Sequence, residues 1–224
     1  MKRMFAMTLC ALTLTAQALT LADLSSKDAS AGLKEALSQG VNQAVASLGK
    51  PDGFLGNPKV KIPLPGQLAK AESMLRMAGM GKQADKLITA MNQAAEAAVP
   101  ETKPLLIEAV KSMSIEDAKK ILTGGDDSVT QFFKRKTSAQ LVEKMLPIVK
   151  KHTAEVSVAK KYDKLAGQGA ALGLIKSEDA QIDSYVTRKA LDGLFTMIAE
   201  EEKAIRANPM QAAGSLAKKV FGAL

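Results

Sequence analysis

An all-α fold is what this sequence of 224 residues predicts, and three observations predict it. Apolar residues recur at three- and four-residue steps along most of the chain, the period of one helix face. Glycine, proline and short polar residues fall where such helices would stop and start. Strand signal is nearly missing. Val60-Lys61-Ile62 alternates, but it lies between prolines and makes an extended edge at most. The expected architecture is a single compact domain over residues 24–224, with about nine or ten short helices packed at mixed angles.

The chain opens on a different pattern. Met1-Lys2-Arg3 is basic, Met4 to Thr15 is mostly apolar and uncharged, and Ala16-Gln17-Ala18 is a small-x-small site. This is the three-part layout of a secretory signal peptide, expected to end after Ala18, with Ala22 as the alternative. The mature chain is then exported, most simply to the periplasm. Cys10, the single cysteine, lies in the leader, so the mature chain has no thiol nucleophile, disulfide or thiolate ligand. Leu9 before it is not the small residue that lipid anchoring favours. No later apolar run approaches the ~18 residues of a membrane span.

The helices follow in order. Leu33, Leu37, Val41, Val45 and Leu48 form one stripe, with Asp28 as its expected N-cap and Gly49 as its stop. From Lys50 to Gly66 no helical period survives, because Pro51, Pro58, Pro63 and Pro65 forbid it. Helices resume at Gln67–Ala78 and Lys82–Val99, the second with Ala84, Leu87, Ile88, Met91, Ala95 and Ala98 on one face. Pro104 suits the first turn of the next helix, which ends near Met113. Ser114 with Asp117 resembles a capping box and opens a helix to Leu122, stopped by Gly124-Gly125. Asp126 or Asp127 is expected to cap a short helix through Phe132 and Phe133. Thr137 with Gln140 is read as a second capping box, opening a separate helix through Leu141, Met145 and Val149. A weaker helix spans about 154–165, and Gly167, Gly169 and Gly173 mark a connection. Ser177–Ala207 is the longest helical stretch, with a break expected near Ile182, and Asn208-Pro209 opens a last helix to Phe221.

Three segments together carry a family resemblance. They are Gly53-Phe54-Leu55-Gly56-Asn57-Pro58 running into Val60-Lys61-Ile62-Pro63-Leu64-Pro65; Ile121-Leu122-Thr123-Gly124-Gly125-Asp126-Asp127 with Thr130, Phe132 and Phe133; and Lys189-Ala190-Leu191-Asp192-Gly193-Leu194-Phe195 with Glu202, Ile205-Arg206 and Asn208-Pro209. In that order and spacing the chain resembles a bacterial family of exported helical proteins catalogued as domain of unknown function 4197. Phe132 stands where that family often has tyrosine. The resemblance implies an exported, single-domain helical protein over nearly the whole mature chain. It implies no activity, and no functional residue is carried over from it.

The chemistry offered by the residues themselves is sparse. Composition is that of a globular chain, with 46% hydrophobic and 24% charged residues, which excludes a disordered polymer. The net charge of +8 is only partly the leader's, so the mature chain stays basic. Mixed-sign solvation explains this, and an anionic surface is the alternative. With no tryptophan and few other aromatics, base stacking has little to use, and no nucleic-acid partner is expected. His152 is the single histidine, too little for a triad or most zinc sites, and it reads as a cation at a helix C-terminus. No cofactor and no metal are expected. Gly124-Gly125-Asp126-Asp127 lacks the lysine and hydroxyl of a phosphate loop and the distal glutamate of a calcium loop.

Two candidates remain. The 50–66 strap offers Phe54, Leu55, Asn57 and Lys61 to a ligand or partner, or else pins itself to the helices through Phe54, Leu55, Ile62 and Leu64. Asp192, Glu202 and Arg206 recur at helical steps and are the candidate catalytic set if they face inward. Asp192-Gly193 in mid-helix is locally unfavourable, which marks either a tight crossing or a site. Tyr162 and Tyr185 are expected to tie loops through their hydroxyls. The leading expectation is a non-enzymatic binding or envelope-associated protein, holding an envelope protein or a lipid-like ligand near the strap. A carboxylate hydrolase using Asp192, Glu202 and Arg206 is the alternative, and peripheral binding to anionic membrane is a third.

Overall fold

The computed structural model describes residues 25–77, 79, 81–125, 128–154, 159–160, 162–164 and 180–223. The predicted leader with Cys10, the Asp126–Asp127 cap and the glycines at 167, 169 and 173 lie outside the described residues. Among those described, the secondary structure is helical without strands, as the sequence predicts.

The first helix, α1, is Ser26–Leu48. It begins earlier than Asp28. Ser25 is the N-cap, in extended conformation, and its hydroxyl accepts the Asp28 N–H at 3.1 Å. Asp28 instead lies inside the first turn, where its charge suits the helix dipole. The predicted stripe of Leu33, Leu37, Val41, Val45 and Leu48 is buried throughout. Gly49 is the C-cap, as predicted.

After the strap come α2 (Gly66–Met77) and α3 (Gly81–Ala98), then a 3₁₀ turn, Val99–Thr102, and α4 (Lys103–Lys111). Helix α5, Ile115–Leu122, is capped by Ser114, whose hydroxyl accepts the Asp117 N–H at 3.0 Å. Helix α6 runs unbroken from Ser128 to Thr153 and passes through Pro147. Two helices were expected here, divided at Thr137. Thr137 is buried, and its Oγ1 donates to the Phe133 carbonyl one turn back, 2.7 Å away, instead of capping a new helix.

Residues 159–160 and 162–164 are also helical. The long helix α7, Ile182–Ala207, starts where the break was expected. Its own N-cap, Gln181, makes no side-chain cap; the Asp163 carboxylate takes the Ile182 N–H at 2.7 Å instead. Asn208-Pro209 does not open the last helix. Pro209–Gln211 is a 3₁₀ turn, and α8, Ser215–Gly222, begins after Gly214. Two residues of α1 hold this corner. Gln39 donates to the Gln211 carbonyl and accepts from the Ala213 N–H, while Glu35 accepts from the Ala217 N–H in the first turn of α8.

The helices share one core. Helix α1 packs against α4, α5, α7 and α8, and α6 packs against α3 and α7. Helices α1 and α8 approach closely at Gly32, where an added Cβ would lie 2.6 Å from the Leu216 carbonyl oxygen. Phe132 and Phe133 meet edge to face in this core, their centroids 5.3 Å apart and both rings wholly buried.

Candidate functional site

The strap is made of consecutive turns from 51 to 60 and an extended piece from 61 to 65. Phe54, Val60, Ile62 and Leu64 are buried, and Phe54 has no exposed surface at all. Without a sheet or helix, its buried main-chain groups need other partners. Beyond the hydrogen bonds of the strap's own turns, helix α3 supplies most of them. The Glu96 carboxylate, itself buried, accepts the N–H groups of Phe54 at 3.0 Å and Leu55 at 3.2 Å. One turn earlier, Asn92 accepts the Ile62 N–H at 2.8 Å and donates to the Ile62 carbonyl at 2.9 Å, the pairing a neighbouring strand would give. From α7, the Tyr185 hydroxyl donates to the Pro63 carbonyl at 3.1 Å. This is the tie expected of Tyr185.

The far side of the strap rests on α7. At Gly193 an added Cβ would lie 2.9 Å from Phe54 Cε1 and 3.2 Å from Val60 Cβ. The unfavourable Asp192-Gly193 pair therefore marks a tight crossing, where the strap's aromatic ring needs the space beside the helix backbone.

Of the four strap residues singled out as ligand contacts, the fold uses each differently. Phe54 is sealed in the core. Asn57 turns toward α7, where its amide lies 3.8 Å from Met197 Sδ, and its Oδ1 accepts the Lys59 N–H. Leu55 is partly buried and Lys61 is exposed, and these two face outward into a common cleft. The cleft, about 490 Å³, is lined from the strap by Leu55, Pro58, Lys61 and Pro63 and from α3 by Ile88 and Thr89. Its rim carries an ionic clamp. Arg76 of α2 pairs with Glu72 at 2.8 Å and reaches Asp85 of α3 at 2.7 Å. The hydrogen bond from Arg76 holds the Asp85 carboxyl below the usual aspartate range.

The proposed catalytic set does not assemble. Asp192 is half-exposed and lies 3.4 Å from Lys134 of α6. Glu202 is buried and paired with Arg206 on its own helix. Ten residues along one helix separate Asp192 from Glu202 by about 15 Å of rise. Arg206 is further committed: it donates to the Ile121 carbonyl at the end of α5, 3.1 Å away, and its guanidinium lies 5.6 Å from the Phe221 ring centroid of α8. Glu202 and Arg206 thus fasten α5, α7 and α8 together. His152 is exposed in the last turn of α6, where a cation suits the dipole. Among the described residues no group of three or more histidine, cysteine, aspartate or glutamate side chains is arranged to hold a metal. No described helix is long and apolar enough to cross a membrane.

The sequence did not single out Glu96 and Asn92. They stand four residues apart, on the same face of α3 as Ile88, and that polar i,i+4 pair within an otherwise Ala- and Met-rich face is the signal that marks them.

A second groove lies between α6 and α7, about 410 Å³, with Lys134, Ser138, Val142 and Leu146 on one side and Thr187, Arg188, Leu191 and Phe195 among those on the other.

No curated protein and no solved structure matches the chain. One family model does, across residues 23–222, and it is described as a protein of unknown function, DUF4197. With that match spanning nearly its whole length, and carrying the strap, the Gly-Gly turn and the Gly193 crossing within it, the chain belongs to the DUF4197 family.

Proposed function

We propose that this is a non-enzymatic binding protein of the periplasm, exported by its leader and holding a ligand or a segment of an envelope partner in the strap cleft. One observation carries the reading. The strap's main chain is locked by Glu96, Asn92 and Tyr185, while its outer side chains, Leu55, Pro58, Lys61 and Pro63, line an open cleft. A surface fixed in this way loses little conformational freedom on binding, which is what preorganised recognition requires. Its apolar wall and the Lys61 ammonium suit an occupant with an apolar body and an anionic end. The hydrolase alternative needs Asp192 and Glu202 to work on one substrate, and α7 sets them apart.

Cell fractionation followed by native mass spectrometry of the purified protein tests both parts. The protein is expected in the periplasmic fraction, carrying a bound species that is lost from the Leu55→Asp and Lys61→Glu variants. Retention in the cytoplasm overturns the export. A protein that is bare in wild type, or that keeps its passenger in both variants, overturns the cleft.

A further inference from the structure

Helix α2 is the loosely held wall of the strap cleft. Its Glu72 and Arg76 line the cleft together with Leu55, Lys61 and Pro63 of the strap. Among the described elements its substantial packing is against α3 alone. Each of its described side chains is exposed or half-buried, and Met74 and Met77 stand open to solvent at 67% and 81%. Apolar side chains of that size normally anchor a helix to the core, and these two do not.

Both ends of α2 carry an unusual backbone. Gly66, its first residue, has φ +31°, and Gly79, just past its end, has φ +78°. They are the two described glycines with positive φ. An added Cβ at either would meet nothing within 4 Å, so glycine stands there for the backbone conformation and not for packing. Permissive, uncrowded turns at both ends of one helix are what a hinged element needs.

An ionic latch fastens the helix. Arg76 presents two guanidinium nitrogens to the Asp85 carboxylate of α3, at 2.7 and 3.3 Å, a forked pair. Glu72, one turn back on α2, holds the same guanidinium at 2.8 Å. Besides Arg76, the Lys61 ammonium of the strap acts on the Asp85 carboxyl, so the latch faces the strap across the cleft. The Arg76 and Asp85 side chains are 44% and 58% exposed, and an ion pair so open to water is weak and readily broken.

We infer that α2 is a hinged flap on the strap cleft, latched to α3 through Arg76 and Asp85, and that opening the latch releases the occupant. The inference rests on the reading of the cleft as the binding site and adds its regulation.

Anilinonaphthalene sulfonate is the probe, an apolar body with an anionic end whose fluorescence rises in an apolar site. Its dissociation from the full-length folded protein is followed by stopped-flow fluorescence, and Lys61→Glu marks the cleft. Lys61 is exposed, so its replacement leaves the core intact. Asp85→Ala and Arg76→Gln each break the latch, and both are expected to release the probe about threefold faster. The two variants change the charge of the cleft in opposite directions. By charge alone, losing Asp85 would hold an anion longer, so faster release from Asp85→Ala reports the latch and not the field. Hydrogen exchange along α2 is expected to quicken in both variants without probe, while the buried face of α3 around Met91 exchanges as in wild type. Release from Asp85→Ala at or below the wild-type rate, or unchanged exchange along α2 in both variants, overturns the flap and leaves the cleft standing. No binding by wild type, or undiminished binding by Lys61→Glu, overturns the cleft reading and the flap with it.

Discussion

At Glu96 a single carboxylate oxygen accepts two consecutive main-chain N–H groups that no helix or sheet serves. Its charge is buried but spread over charge-assisted hydrogen bonds, which are about twice as strong as neutral ones. Glu96→Ala leaves both donors in the interior without an acceptor. We expect a loss of about 2–4 kcal/mol in urea denaturation at neutral pH, whereas Glu96→Gln keeps one oxygen and loses about 1 kcal/mol. Asp163 is a second residue whose environment has a measurable consequence. Burial pushes its carboxyl above the usual range; the Ile182 N–H pulls the other way, and nearby Asp183 adds to the rise. The folded chain therefore keeps this proton to higher pH than the unfolded chain does. Its contribution to stability is full below the ordinary aspartate value of about 3.9 and is lost as pH rises through the raised folded value. Asp163→Asn keeps an oxygen for Ile182 and removes the titration. Its unfolding free energy should therefore change less with pH than wild type across that interval, as followed by denaturation at stepped pH.

Among the elements, the strap and α7 depend on each other at Gly193. A glycine in the middle of a helix costs about 1 kcal/mol relative to alanine, so Gly193→Ala should stabilise α7 considered by itself. Here the new methyl meets the wholly buried ring of Phe54. Overpacking of that kind costs about 1–3 kcal/mol, and we expect the balance to be a lowered melting temperature. Gly222→Ala is the matched control. It ends α8 with open space around the added Cβ, and it should melt no lower than wild type. Helix α6 shows the opposite relation between sequence and element. Thr137-Ser138-Ala139-Gln140 has the local form of a helix start, yet no glycine or proline precedes it to end the helix already running. With nothing to break it, the backbone ladder continues and the hydroxyl bonds backward. A capping box marks a terminus only where the preceding chain stops, as Ser114 does after Ser112 and Met113 leave α4.

Over the whole molecule, what could be read from the sequence divides by distance along the chain. The helical class, the buried stripe of α1, the Ser114 cap and the proline-rich strap depend on residues within a turn or two of each other, and local pattern reveals them. Asn92 and Glu96 acquire their roles from a segment some 30 to 42 residues away, and within α3 they read as ordinary polar positions. Leu55 and Lys61 were legible as strap residues, but that they share a cleft with Ile88 and Thr89 follows from how α2 and α3 fold back over them. Asp192, Glu202 and Arg206 looked like a set because helical spacing relates them, but ten residues of helix separate two groups as effectively as they align them.

The corner where Glu35 and Gln39 of α1 hold the segment before and into α8 has a consequence for the order of events in the cell. The earliest of the described helices is completed by the latest of them. Contacts that join distant parts of a chain must wait for both parts and pay the loop entropy between them. Until α8 has been made, α1 has an uncovered face at Gly32, and Glu35 and Gln39 lack their native partners. A nascent chain built this way cannot complete the contact of α1 with α8 until both helices have been made, so this corner is among the last parts of the fold to close.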